Sequence, residues 1–451
     1  MTDRAEATPP AAKGSGEGKS GKRVLLATFG SFGDLHPYIA LARGLQERGH
    51  RAVIATSTNY REKIEGEGIQ FHAVRPDMPA NEDTRKLVAR IMDPKRGTEV
   101  IFREVLGPNF AAQYEDLNVA AKGADLLVAH MLTPGIRMVA ELTGRPWVAT
   151  YLQPMVFASI FDPPIPPQFP QFASLYRLGP WFTRPILKLG KQSVRPFVQP
   201  IHDLRASLGL PDAGHAMFEG GHSPYLNLAL FSKELGRPQP DWPAHTVVTG
   251  FPFYDRVEAG AGMPVELERF LDGGAPPIVF TLGSSAVMLG THFYRESINA
   301  AQRLGRRAVL LIGREEWNAL PQPLPQGIFA CDYAPHGELF PRAAAIVHQG
   351  GVGTTGQAMR SGMPMLVVPF AHDQPDNAHR VTRIGIARTL TVPRYTGARA
   401  AAELRTLLDD SRYATRAAAV GARVRAEDGV AAACDAMEAL LANVATSGAA
   451  R

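Results

Sequence analysis

The segment HQGGVGTT, residues 348–355, carries residue types suited to holding an anion. It follows an apolar strand predicted over 344–347 and leads into a helix predicted over 356–361. Three glycines there let the backbone approach a ligand closely. The N–H groups at a helix start point outward with partial positive charge, so a diphosphate fits without a metal. Gly350, Gly351, Val352, Gly353 and Thr354 supply that backbone. His348 and the hydroxyls of Thr354 and Thr355 add donors for phosphate oxygens. Taken alone, the segment reads equally as a plain glycine-rich turn. No D-x-D motif and no Cys/His cluster of metal spacing accompanies it. The expected site therefore has no metal and the chain no cofactor.

The elements around this segment form a pattern that repeats along the chain. Residues 23–28 (RVLLAT) have the look of a buried strand. Residues 29–36 (FGSFGDLH) form a glycine-containing loop, Pro37 suits a first helical turn, and Gly49 closes the helix. Residues 51–57 are the next strand, completing a βαβ unit and implying a parallel sheet. Further strands are predicted at 69–74, 125–129 and 147–151. A second alternation starts at Pro277, with strands at 278–282, 307–312, 344–347 and 365–368 and a helix at 292–304. The fold class is therefore α/β, two doubly wound units facing a central cleft, and ligands belong at the carboxyl ends of the strands. The predicted division is a disordered tail at 1–21, an N-terminal unit at 22–250, a Gly/Pro-containing connection at 251–276, a C-terminal unit at 277–428, and a helix and tail at 429–451.

Composition agrees with a globular chain of this size. The 451 residues are 45% hydrophobic and 20% charged, and no apolar run approaches the ~20 residues that span a bilayer. The tail lacks the apolar core of a secretory signal. Two cysteines, Cys331 and Cys434, argue against a disulfide framework and point to the cytoplasm. The net charge of +5 is mild, with no block resembling a nucleic-acid arm. Residues 177–205 mix Arg184, Lys188, Lys191 and Arg195 with Trp181, Phe182 and Phe197. They read either as a weak contact for an anionic membrane surface or as a helical surface with a buried aromatic face.

Together with CDYAPH (331–336) and MPMLVVPFAHDQ (363–374), the segment HQGGVGTT resembles the donor-binding signature of family 1 glycosyltransferases. The family has the two-domain GT-B fold, and its members transfer a sugar from a nucleotide diphosphate donor. The resemblance implies roles position by position. Tyr333 would stack on the nucleobase, and His348 with Gly351 to Thr354 would bind the diphosphate. Asp373 and Gln374 would hold the donor sugar's hydroxyls, and Ser284, in TLGSS, would lie near the phosphates. One departure concerns the nucleotide. Members specific for UDP often carry a ribose-binding Glu where this chain has Gly356 and Gln357, which makes a dTDP sugar more plausible alongside UDP. Passages such as GSFGDLHPYIALARGL and AHDQPDNAHR look particularly like bacterial rhamnosyltransferases of glycolipid synthesis, a frame shared with sterol- and natural-product-modifying enzymes.

The resemblance also implies a base. In Gly33-Asp34-Leu35-His36-Pro37, Asp34 takes the position where many members have His. It would deprotonate the acceptor hydroxyl in an inverting, metal-independent transfer. By residue type alone, Asp34 is also a helix cap. His36 is a weaker rival for the base. His130 stands where other members place an Asp that orients a His base, and would orient Asp34; it reads equally as a polar strand-end residue. Phe157, Phe161, Phe169, Phe172, Tyr176, Trp181 and Phe182 gather near the Pro-rich run 153–170. They suit a small lipophilic acceptor (hydroxy-fatty, sterol or phenolic), although at least half of them are expected to fill the core. A sugar-nucleotide 2-epimerase of the same fold and a non-catalytic nucleotide-sugar-binding subunit are the competing readings.

Overall fold

The computed structural model describes residues 21–79, 82–255, 262–284, 286–314 and 317–449. The expected tail, apart from Gly21, and part of the connection lie outside the described residues. Two parallel sheets organise the rest. The first contains β1 (Arg23–Ala27), β2 (Arg51–Thr56), β3 (Gln70–Ala73), β4 (Leu126–His130), β5 (Trp147–Tyr151), β6 (Leu226–Ala229) and β7 (Thr246–Val248), in the order β3-β2-β1-β4-β5-β6-β7. The second contains β8 (Ile278–Thr281), β9 (Ala308–Leu311), β10 (Ile328–Cys331), β11 (Ala345–His348), β12 (Met365–Val367) and β13 (Ala387–Thr389), in the order β10-β9-β8-β11-β12-β13. Five helices bear on the site and its surroundings: α1 (Phe32–Glu47), α2 (Pro180–Val194), α3 (Val352–Ser361), α4 (Gln374–Arg383) and α5 (Gly429–Ala449).

The strands are short and apolar because helices cover both faces of each sheet. Val24, Leu25, Leu26 and Ala27 of β1 are fully buried, as are Ile278, Val279 and Phe280 of β8. Strand order reverses direction between β1 and β4 in one sheet and between β8 and β11 in the other. Those switch points leave a crevice at the strand ends, where loops can meet a ligand. Helix α5 returns from the C-terminal half to pack on α1. Gly44 permits that approach, since a Cβ there would collide with Val430 and crowd Cys434.

Three local expectations are corrected. Helix α1 begins at Phe32, so Pro37 lies inside it and the segment 32–36 is helical. The reason is a capping box: Ser31 is the N-cap, and its side chain and backbone exchange hydrogen bonds with the first turn. Helix α3 likewise starts at Val352, so the glycine-rich segment supplies its first turn, with Gly351 as the N-cap. Third, the aromatic run is not core. Of its seven rings only Phe157 is buried, stacked on Trp242 at 4.1 Å, whereas Trp181 is 74% exposed.

Candidate functional site

Asp34 stands at the switch point of the first sheet, on the turn after β1. Its Oδ2 accepts the Ser31 N–H at 2.8 Å and the Ser31 hydroxyl at 3.2 Å, closing the capping box. Gly30, at φ 136°, makes room for this carboxylate, because a Cβ there would strike it. Capping therefore engages one oxygen and leaves Oδ1 toward His130. The His130 Nε2 is 3.7 Å from Asp34 Oδ1, a contact beyond hydrogen-bond range. Ser31, a residue the sequence reading passed over, is thus what fixes Asp34 in this structure. Burial depresses the His130 pKa, opposed by the Asp34 carboxylate. His36, the rival base, packs its ring against Phe32 and Tyr254 at 5.3 and 5.0 Å.

The switch point of the second sheet holds the glycine-rich turn. No side chain caps α3, so the N–H groups of its first turn keep their donor capacity. Gly350 has φ 90°, and a Cβ there would press on Val367 and the Gln374 carbonyl. Ser284 follows β8 and is exposed. Its neighbour Gly283 lies so close to Gln349 and Thr354 that the two loops form one surface. The placement of His348 differs from a phosphate-facing ring. It is fully buried beneath the turn, where its Nδ1 accepts the Gly350 N–H at 3.1 Å and its Nε2 lies 3.3 Å from Met365 Sδ. Burial, reinforced by His336 nearby, lowers its pKa to about 3. In this conformation His348 props the turn from below. Tyr333, past the end of β10, is 57% exposed, with His336 at 6.1 Å.

Asp373 and Gln374 sit where α4 begins. Gln374 is buried, and its Oε1 accepts the Phe370 and Ala371 N–H groups at 2.8 and 3.2 Å. Its carbonyl oxygen thus shapes the loop ahead of the helix. Asp373 is half-buried, and its Oδ2 accepts a hydrogen bond from Asn377 at 2.7 Å. Asn377 also donates to the Gly350 carbonyl at 2.9 Å, tying Asp373 to the glycine-rich turn. Helical i,i+4 spacing from Asp373 would have found Asn377 in the sequence. Burial raises the Asp373 pKa to about 7, and the Asp34 carboxylate adds to the rise. The same Asp34 charge acts on His372, which adopts a left-handed backbone at φ 56°. The two switch points therefore face each other within electrostatic reach.

A second group missed in the sequence joins the halves beside this site. Arg380 of α4 is buried and pairs with Asp376 at 2.6 Å and with Asp162 from the Pro-rich run. Asp376 also accepts the Ile165 N–H at 3.0 Å, and Asp162 takes Arg383 at 2.9 Å. Nothing in sequence spacing links Asp162 to Arg380, 218 residues away.

Gly356 faces the ring of Phe251, with the nearest ring atoms 3.0–3.1 Å from where a Cβ would stand. Gln357 donates to Asp255 at 2.9 Å. A small cavity of about 40 Å³ lies beside β4 and β5, lined by His130, Met131, Met138, Val156, Met217 and Arg205 among others. Among the described residues no group of three or more His, Cys, Asp or Glu side chains is arranged to hold a metal ion, and no helix is long and apolar enough to cross a membrane.

The N-terminal domain of glycosyltransferase family 28 matches residues 24–160, and the erythromycin biosynthesis protein CIII-like C-terminal domain matches residues 296–440. The O-mycaminosyltylonolide 6-deoxyallosyltransferase of Streptomyces fradiae is 32% identical, across 91% of this chain and 96% of its own length. A sterol 3-beta-glucosyltransferase of Cryptococcus neoformans var. neoformans serotype D is 29% identical across 92% of this chain, which spans 27% of that protein. Among solved structures, the glycotransferase of kitacinnamycin superposes with a TM-score of 0.69 at 23% identity, covering 93% of this chain and 99% of that one. The glycosyltransferase VinC, solved with dTDP, gives 0.65 at 20% identity, covering 93% and 100%.

Proposed function

The chain belongs to the family 1 glycosyltransferases, enzymes of GT-B fold, and from that premise we propose an inverting, metal-independent transfer of a hexose from a nucleotide diphosphate sugar to a hydroxyl of a small lipophilic acceptor, with Asp34 as the general base. The observation that carries the reading is the opposition of the two switch points: the Asp34 carboxylate lies close enough to Asp373 and His372 for its charge to act on both. Asp34 Oδ1 takes the acceptor proton as the acceptor oxygen bonds to the anomeric carbon. The bond from that carbon to the diphosphate oxygen breaks on the opposite side, and its electron pair leaves with the diphosphate. A single displacement of this kind inverts the anomeric configuration. The departing charge meets the uncapped N–H groups of α3. His348 supports this turn, Ser284 and Thr354 add hydroxyls beside it, Tyr333 offers a ring for the base, and Asp373 and Gln374 hold the sugar.

The donor reading favours dTDP over UDP, in the manner of dTDP-rhamnose. Its support is the Phe251 ring, which occupies the space beside Gly356 where a ribose-binding Glu would otherwise project. The acceptor reading draws on the apolar side chains gathered beside His130, and on relatives whose names carry a sterol and O-mycaminosyltylonolide. The test is a panel of dTDP and UDP hexoses against hydroxy-fatty, sterol and phenolic acceptors in excess EDTA, with the product's anomeric configuration read by NMR. Inverted product with EDTA present is expected. Retained configuration, or Mg²⁺-reversible loss of activity, overturns the mechanism.

A further inference from the structure

The aromatic run ahead of α2, and α2 itself, carry a surface that neither sheet's core explains. Of the fifteen residues in α2 only Thr183 is buried. Trp181 is 74% exposed, Leu189 65%, Leu178 51% and Phe169 48%. Trp181, Pro185 and Leu189 recur at four-residue intervals, which places them on one stripe of the helix, and Leu178 stands just ahead of it across Gly179. Arg184, Lys188, Lys191 and Arg195 recur at three- and four-residue intervals and form a second stripe alongside, with Arg177 ahead of the helix. Thr183 lies on the opposite side, against the protein. The face turned to solvent is therefore half apolar and half cationic.

The charge pattern is as uneven as the apolar one. About one residue in ten of the chain is Asp or Glu, 43 of 451, yet residues 163–202 contain none while carrying those five cations. Lys191 pairs with Glu219. Arg177, Arg184, Lys188 and Arg195 form no ion pair among the described residues.

We propose that this face docks on an anionic lipid bilayer, with α2 in the headgroup plane. Trp181, Leu178 and Leu189 enter the acyl boundary, and the four unpaired cations meet headgroup phosphates. A second copy of the chain fits less well, because self-pairing would bring two acid-free cationic stripes together. The docking face is continuous with the cleft. The same segment runs back to Ile165 and Asp162, which bond to Asp376 and Arg380 of α4. A lipophilic acceptor leaving the bilayer would thus enter at the sugar-bearing helix. That last clause rests on the proposed acceptor class, whereas the docking itself does not.

The experiment is flotation of the full chain with vesicles of mixed phosphatidylglycerol and phosphatidylcholine, and with phosphatidylcholine alone, at low and high salt. Binding to the anionic vesicles that weakens with salt is expected, with a blue shift of tryptophan emission that is lost in Trp181→Phe. Each surface Lys or Arg contributes roughly a five-fold gain in binding. The double variant Arg184→Glu/Lys188→Glu should therefore bind at least ~30-fold more weakly, while its circular dichroism and its turnover of a water-soluble phenolic acceptor stay unchanged. Equal binding to both vesicle types, or wild-type flotation by the double variant, overturns the proposal. So does a dimer in solution that Leu189→Ala disperses, since the face would then belong to a second copy. Failure of sugar transfer with intact flotation would count against the functional reading alone.

Discussion

Each half starts a helix at the switch point of its sheet, on opposite sides of that point, and the two helix starts differ in how they are capped. In the N-terminal half, α1 starts at the β1/β4 switch point and its first turn is closed by its own residues, Ser31 and Asp34. In the C-terminal half, α3 starts after β11, beside β8, with a glycine at the N-cap and no side chain over its end. A carboxylate already occupies the first position, so an anion is unwelcome there and a proton acceptor is available. The second position presents bare N–H groups and a favourable dipole, so an anion belongs. On the proposed reading, the two switch points supply a base on one side and a diphosphate seat on the other, and the capping chemistry decides which.

The contrast matters only if the halves stay opposed, and the largest expected effect comes from the group that joins them. Arg380→Ala would leave the fully buried Asp376 carboxylate without its cation and Asp162 with Arg383 alone. Breaking a buried pair in this way costs about 3–5 kcal/mol. Denaturant unfolding should show that loss, with Asp162→Asn losing less because Arg380 keeps Asp376. Equal stability of Arg380→Ala and wild type would mean the junction does not hold the cleft.

Next in size is the base. Asp34→Asn should lower kcat by about 10²-fold or more, the ordinary scale for losing a general base. Binding of the nucleotide diphosphate, measured by calorimetry, should hardly change, because its proposed seat is at the other switch point. Asn preserves the cap, since its side-chain oxygen still accepts from Ser31. Near-normal turnover would reduce Asp34 to its capping role. The converse variant, Gly350→Ala, should weaken nucleotide binding by about ten-fold or more, since a Cβ at φ 90° costs on the order of 1–3 kcal/mol. Intact diphosphate affinity in Gly350→Ala would place the anion elsewhere.

The contrast between the halves was only partly visible in the sequence. Apolar runs such as RVLLAT and IVFT gave their strands directly, because a parallel strand buried on both faces has little choice of composition. β6, β7, β10 and β13 went unseen. They are three or four residues long and flank irregular segments, so pairing with a neighbour defines them more than periodicity does. The starts of α1 and α3 lie earlier than the sequence suggests, because Pro37 reads as a first-turn residue and the glycines as loop signals, while tertiary position and capping make the residues ahead of Pro37 and the glycines helical. Motif spacing points to Asp34, Ser284, His348, Asp373 and Gln374, which stand at or just past strand ends of the two sheets. It was silent on which way the side chains face, and so missed His348 beneath its turn and Gln374 bonded to the loop. Asp162, Asp376 and Arg380 depend on contact between distant segments, which no local pattern encodes.

The smallest effect follows from the field between the two switch points. Asp373 has a pKa near 7, through burial first and the Asp34 charge second, whereas in the unfolded chain it titrates near 3.8. The folded state therefore binds more protons than the unfolded state between those values. By linkage, this group's stabilising contribution is full below about pH 4 and is lost as pH rises through about 7. Asp373→Asn removes the titration, so its stability relative to wild type should improve from pH 5 to pH 8. Asp34→Asn removes the second cause only, so the wild-type decline should persist but fall at lower pH. Thermal unfolding of the three proteins over pH 5–8 separates these outcomes. If Asp34→Asn leaves the midpoint of the decline where it is, the two carboxylates do not sense each other, and the opposition of base and donor sugar across the cleft is wrong.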